Sequence, residues 1–253
     1  MKRLLIATVA SIALGASSAL AADLAPYYKA PSPPAPAVSW TGCYLDGGVG
    51  YGMFSQDEYL TAFGVSTATV TDGGRGWLGR VGGGCDYQLG GQLSNWVIGA
   101  FGDYDFENIH GWNDLGSSLV TGNEKQNAAW AVGGRLGYLV TPKLLTYTDG
   151  GYTEARFNAV TFTSVLGGPA FATIPSHTYN GWFLGGGTEY ALDFSWLPIH
   201  GLFWRNEYRY SSFSSANLPL SALGIPTGVA LHSTIYEQTI TSSLVWRFNW
   251  TGR

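Results

Sequence analysis

The sequence predicts an all-β fold: an eight-stranded antiparallel up-and-down β-barrel that crosses a membrane, with short turns at one end and long loops at the other. Three observations predict it. Through eight segments an aromatic or large aliphatic residue returns at every second position, with glycine, polar or charged residues between, and period-two alternation sends successive side chains to opposite faces of a strand. Charged residues make up only 12% of the chain, about half the share of an ordinary domain, while 36 Gly, 12 Phe, 10 Trp and 15 Tyr are present. Connections between the segments alternate short and long. A bilayer offers no water to unpaired backbone groups, so strands that alternate in this way must close into a ring.

The chain opens with an export signal at residues 1–21. Lys2 and Arg3 form its positive start, residues 4–14 its apolar stretch, and Ala19, Leu20 and Ala21 an A-x-A cleavage site. The apolar stretch is too short for a helical span, and no later window supplies the roughly 20 apolar residues that one requires. Without Lys2 and Arg3, 17 acidic residues face 11 basic ones, so nucleic acid is not an expected partner. Residues 22–39 hold Pro26, Pro31, Pro33, Pro34 and Pro36 among Ala and Ser, a tract that favours extended polyproline structure and reads as a periplasmic spacer. The barrel follows over residues 40–253.

Its outward parities run strand by strand. Residues 42–54 carry Cys43, Leu45, Val49, Tyr51 and Met53; residues 76–89 carry Trp77, Val81, Cys85, Tyr87 and Leu89; residues 95–106 carry Trp96, Ile98, Ala100, Tyr104 and Phe106. Residues 127–140 carry Ala128, Trp130, Val132, Leu136, Tyr138 and Val140. Residues 144–155 leave two registers open, Thr146, Thr148 and Tyr152 outward, or Leu145, Tyr147 and Ala155. Residues 181–192 carry Trp182, Leu184, Thr188, Tyr190 and Leu192; residues 201–210 carry Leu202, Trp204, Tyr208 and Tyr210; residues 235–248 carry Tyr236, Ile240, Leu244, Trp246 and Phe248. Short connections at 90–94, 141–143 and 193–200 face the periplasm, and long loops at 55–75, 107–126, 156–180 and 211–234 face outside the cell. The aromatics then sort into two interfacial belts: Tyr51, Trp77, Trp130 and Trp182 near the outer ends, Tyr87, Trp96, Trp204 and Trp246 near the inner ends.

Cys43 and Cys85 fall on the outward face of adjacent strands. Export permits a bridge between them, but the reading taken is of two inert small apolar residues. The inward parity carries Asp46, Arg80, Asp86, Asp103, Asp105, Arg135, Glu189, Asp193, Arg205, Glu207, Arg209, Glu237 and Arg247. In so narrow an interior, charges of both signs must pair, and Arg80, Arg135, Arg205 and Arg209 are expected to pair with Asp103, Asp105, Glu189 and Glu207 as a plug. A narrow ion path between them is the alternative.

Residues 40–52 (Trp-Thr-Gly-Cys-Tyr-Leu-Asp-Gly-Gly-Val-Gly-Tyr-Gly), residues 181–190 and the close Val245, Trp246, Arg247, Phe248 resemble the small outer-membrane β-barrel surface antigens of alphaproteobacteria, opacity-like and porin-related. The resemblance spans essentially the whole exported chain. It implies residence in the outer membrane among lipid and lipopolysaccharide, assembly through the last strand by the barrel-assembly machinery, and an extracellular ligand or host surface as partner of the loops. Residues 249–253 depart from it by running past the usual terminal aromatic. The leading function is a structural or loop-mediated surface role; a narrow diffusion channel comes second and a lipid-modifying enzyme third. Loop residues His110, His177 and His232 with Ser211, Ser212, Ser214, Ser215 and Ser233 lack spacing that would fix a Ser-His pair or a zinc site, so neither catalysis nor a cofactor is expected.

Overall fold

The computed structural model describes residues 38–117, 119–193 and 201–248; the signal segment, residues 22–37 of the spacer and residues 249–253 lie outside the described residues. The described chain is an antiparallel sheet of twelve strands: β1 (Gly42–Ala62), β2 (Val65–Ser66), β3 (Val70–Gln88), β4 (Trp96–Asn113), β5 (Val120–Thr141), β6 (Leu144–Phe157), β7 (Val160–Ser164), β8 (Ala172–Ile174), β9 (His177–Ala191), β10 (Leu202–Phe213), β11 (Ala216–Ala222) and β12 (Ile225–Phe248). Eight of them are long. They pair in the order β1-β3-β4-β5-β6-β9-β10-β12, and β12 pairs back along β1 from Cys43↔Phe248 to Ala62↔Val229. Each long strand therefore has a hydrogen-bonded neighbour on both sides.

Alternation of burial follows alternation of chemistry. Along β3, Trp77, Val81 and Tyr87 are exposed while Leu78, Arg80 and Asp86 are buried; along β12, Ile240, Leu244 and Trp246 are exposed while Thr239, Thr241, Ser243, Val245 and Arg247 are buried. The exposed face is thus apolar, while the charged and hydroxyl side chains are gathered on the buried face, unlike a water-soluble sheet. The open register of residues 144–155 resolves on β6: Leu145, Tyr147 and Ala155 are buried, and Thr146, Thr148 and Tyr152 face out.

Two expectations are corrected. Cys43 and Cys85 are not inert: they stand directly opposite one another on β1 and β3 and are joined in a disulfide. Equal parity on neighbouring strands was legible, but the pairing register that puts them face to face was not. The long connections are also not mainly loops, because β1, β3, β4, β5 and β12 run on through much of them and β2, β7, β8 and β11 add short strands within them. The reason is visible in β1, where Gln56 and Glu58 continue the buried parity with no exposed surface. Period two persists there, but its buried members are polar, and a search for hydrophobic alternation stops at Phe54.

Candidate functional site

The buried face is layered. Nearest the short turns, Trp40, Tyr44, Val97, Leu139, Leu145, Tyr147, Phe203 and Val245 form an apolar cluster. Trp40 is fully buried, and its Nε1 donates to the carbonyl of Pro142 at 3.2 Å. Toward the long connections a second cluster gathers Phe54, Ile109, Phe157, Phe162, Tyr179, Phe213, Leu231 and Ile235.

Between them lies a network of charges. Arg80 donates to Asp105 through Nε and Nη2, both at 2.7 Å, and to Glu207 at 2.7 Å. Arg209 joins Asp103 at 2.7 Å and the same Glu207 at 2.9 Å. Glu189 has no exposed surface and is the other hub: Arg247 reaches it at 2.6 Å, Arg205 at 2.9 Å and Arg135 at 3.2 Å. Asp86 pairs with Arg135 and, at 2.6 Å, with Arg247. Asp46 receives Arg205 at 3.2 Å.

The eight charges singled out in the sequence thus lie in this network, together with Asp46, Asp86 and Arg247, which shared their parity. Asp149 was missed because the register of its strand was open; it is buried, with both carboxyl oxygens unpartnered. Asp193 does not belong, lying at the surface in a salt bridge with Lys143 at 3.4 Å.

Aromatic rings seal the guanidinium groups. Arg205 lies 4.6 Å from the Tyr44 ring, Arg209 4.4 Å from Phe183, and Arg247 5.1 Å from both Trp40 and Phe203. Desolvated cations over ring faces gain more than exposed ones do. Glycines on neighbouring strands make the rings fit: a Cβ at Gly84 would stand 2.6 Å from the Tyr44 hydroxyl, and one at Gly187 2.8 Å from that of Tyr147. What space remains among Tyr44, Asp46, Arg80, Asp103, Arg135 and Glu207 is about 10 Å³, room for about one water.

Beyond the aromatic residues that end the outward apolar band, a polar cluster enters the second apolar layer. Glu58 accepts from Gln56 at 2.8 Å and from Asn113 at 2.6 Å, with Glu124 close by. Burial, then the charges of Asp72 and Glu124, pushes Glu58 up to about 8; burial raises Glu124 to about 7. These residues fell in segments read as loops.

On the exposed face, Tyr51 packs edge-on against Trp77 and Trp96 against Tyr138, both at 5.3 Å, and Trp130 lies tilted against Tyr152 at 5.4 Å. Trp77, Tyr87, Trp182, Trp204 and Trp246 are each about half or more exposed. Three histidines among the described residues are engaged by other groups: His110 by Asn108 and Asn123, His232 by Asn217, and His177 by the Tyr179 ring, while Ser233 accepts from Tyr179.

Residues 7–248 match the family described as outer membrane protein beta-barrel domain. The chain belongs to this outer-membrane β-barrel family. It is 31% identical over 231 residues to the 31 kDa outer-membrane immunogenic proteins of Brucella melitensis and Brucella suis, covering 86% of this chain and 90% of theirs. Among solved structures it is similar to the outer membrane protein OprG of Pseudomonas aeruginosa, at 10% identity and a TM-score of 0.41 over 82% of this chain and 97% of that one. It is also similar to Ail of Yersinia pestis, at 12% identity and a TM-score of 0.31 over 80% and 99%. As a member of this family the protein resides in the outer membrane.

Proposed function

We propose that the eight long strands form a closed transmembrane barrel whose interior is plugged, and that the protein is a non-enzymatic surface component acting through the part that projects outside the cell. In this reading the short turns and the Pro-rich spacer face the periplasm, the exposed aromatics set the depth in the bilayer, and the last strand engages the assembly machinery. Lipid and lipopolysaccharide surround the apolar face. The observation that carries the reading is the layered buried face: paired charges lie between two apolar layers, and the cavity among Tyr44, Asp46, Arg80, Asp103, Arg135 and Glu207 is about 10 Å³. The Brucella relatives are named as immunogenic, which accords with surface exposure.

A narrow diffusion channel is the competing reading, and planar-bilayer recording separates the two. Purified protein should give no stable conductance steps. Stable steps from the unaltered protein would replace the plug with a pore.

A further inference from the structure

Three of the projecting connections end on a large hydrophobic residue held out into water. Phe63 is 93% exposed, Leu166 86% and Leu223 84%. Each precedes a glycine, and Phe63-Gly64 and Leu223-Gly224 form the two-residue turns that join β1 to β2 and β11 to β12. Both residues of each turn have positive φ: 51° and 81° at 63 and 64, 51° and 81° at 223 and 224. Such turns ordinarily place Asn, Asp or Gly at the first position, and a bulky side chain there is an outlier. Here that position holds phenylalanine and leucine, so the most strained sites in the hairpins carry their least soluble side chains. Val65 and Ile225, the next residue after each turn, are also exposed, at 73% and 69%.

The tips are neighbours. The ring of Phe63 comes within 3.9 Å of where a Cβ at Gly228 would stand, and β11 pairs with β8 through Ser221↔Thr173 and Ala222↔Ala172. The outer parts of these connections are free of charge: residues 59–71, 157–176 and 210–231 contain no Asp, Glu, Lys or Arg, and Asp57, Glu58, Asp72, Arg75 and Arg156 stand at their bases.

We propose that this rim docks on a neutral phospholipid bilayer outside the cell, with Phe63, Leu166 and Leu223 entering its apolar layer. The proposal rests on the surface orientation argued above. A bilayer fits where a protein partner does not. The hydrophobic residues project from separate hairpins, and a fluid bilayer accepts them at any spacing, whereas a protein would need a matching pocket for each. The absence of charge removes the ion pairs that orient protein partners and the attraction that anionic lipid would need. Thr61, Ser66, Ser221 and Thr227 flank the tips with groups suited to hydrogen bonding at head-group level.

The test mixes the full-length protein, held in nanodiscs, with phosphatidylcholine vesicles and reads co-flotation. The protein should float with the vesicles equally at about 0.1 M and about 1 M salt, since no screened attraction is involved. Each of Phe63→Ser, Leu166→Ser and Leu223→Ser should weaken binding about tenfold. Leu93→Ser, in the turn at the opposite end, should leave it unchanged. Circular dichroism and resistance to protease confirm that the variants are folded.

Absence of flotation, flotation only with anionic vesicles that salt abolishes, an undiminished triple variant, or nanodiscs that associate with one another instead of with vesicles would each overturn the proposal. An epitope tag after Gly64 on intact cells distinguishes the two levels. If antibody does not reach it, the surface orientation fails as well; if antibody reaches it and vesicles do not bind, only the docking proposal falls.

Discussion

Asp86 on β3 stands opposite Gly99 on β4, and its carboxyl group occupies the space that a Cβ at residue 99 would need. Glycine at this position is therefore a condition for the charge network, because the displaced group would be the one that holds Arg135 and Arg247.

Gly99→Ala should destabilise the protein by about 1–3 kcal/mol through overpacking. Gly79→Ala, where a Cβ would meet nothing within 4 Å, serves as the control. Folding into lipid vesicles against urea measures both. If the clash with Asp86 is the cause, an Asp86→Ala background should shrink the cost of Gly99→Ala.

Glu189 and Arg205 are not equivalent partners. Three guanidinium groups converge on Glu189, whereas loss of Arg205 still leaves that carboxylate two cations. Glu189→Ala leaves three buried guanidinium groups sharing two carboxylates, Asp86 and Asp46, and should cost about 3–5 kcal/mol; Arg205→Ala leaves Glu189 two cations and should cost less, its penalty being the cation that Asp46 loses. The double variant should be less harmful than the sum. Equal costs for the two single variants, or strict additivity, would argue against convergence on one hub.

The cluster around Glu58 predicts a pH dependence. Gln56, Asn113, Asp72 and Glu124 surround Glu58, and its carboxyl is raised to about 8 against an ordinary value of 4.5. The folded state then holds a proton that the unfolded chain releases, so this contribution to stability is complete below about 4.5 and is lost as pH rises to about 8. Protection factors for amide exchange in 55–62 and 120–126, which remove the intrinsic rise of exchange with pH, should fall across that window. Glu58→Gln keeps the shape and removes the titration, so it should flatten the profile; an unchanged profile would place the dependence elsewhere.

Much of this architecture was legible because the bilayer imposes one simple rule. Tyr87, Ile98, Leu136 and Trp246 advertise an apolar outward face, and the parity that excludes them collects Arg80, Arg135, Glu189 and Arg205. The rule weakens where lipid ends. Past Phe54 the strand continues through Gln56 and Glu58, whose burial depends on amides and carboxyls from other strands, so no local apolar pattern announces it. Asp149 was hidden for a related reason: Thr146 and Thr148 suit either face, and only pairing with β5 and β9 decides between them. The disulfide likewise needed the register Cys43↔Cys85, which parity alone does not supply.

The outward face gives the most direct test of the membrane reading. Leu136 is 48% exposed on β5, on the outward face between Trp130 and Tyr138 and opposite Ile98 and Thr148. In water such a site would tolerate a long charged side chain. In hydrocarbon it would not: Leu136→Arg should cost about 2–4 kcal/mol for folding into vesicles, while Ser176→Arg, exposed in a projecting connection, should cost little. Moving the arginine along the same face toward Tyr138, at the end of the apolar band, should relieve part of the penalty, because the charge can then reach the interface. Refolding yields that ignore depth would mean that this face does not meet lipid.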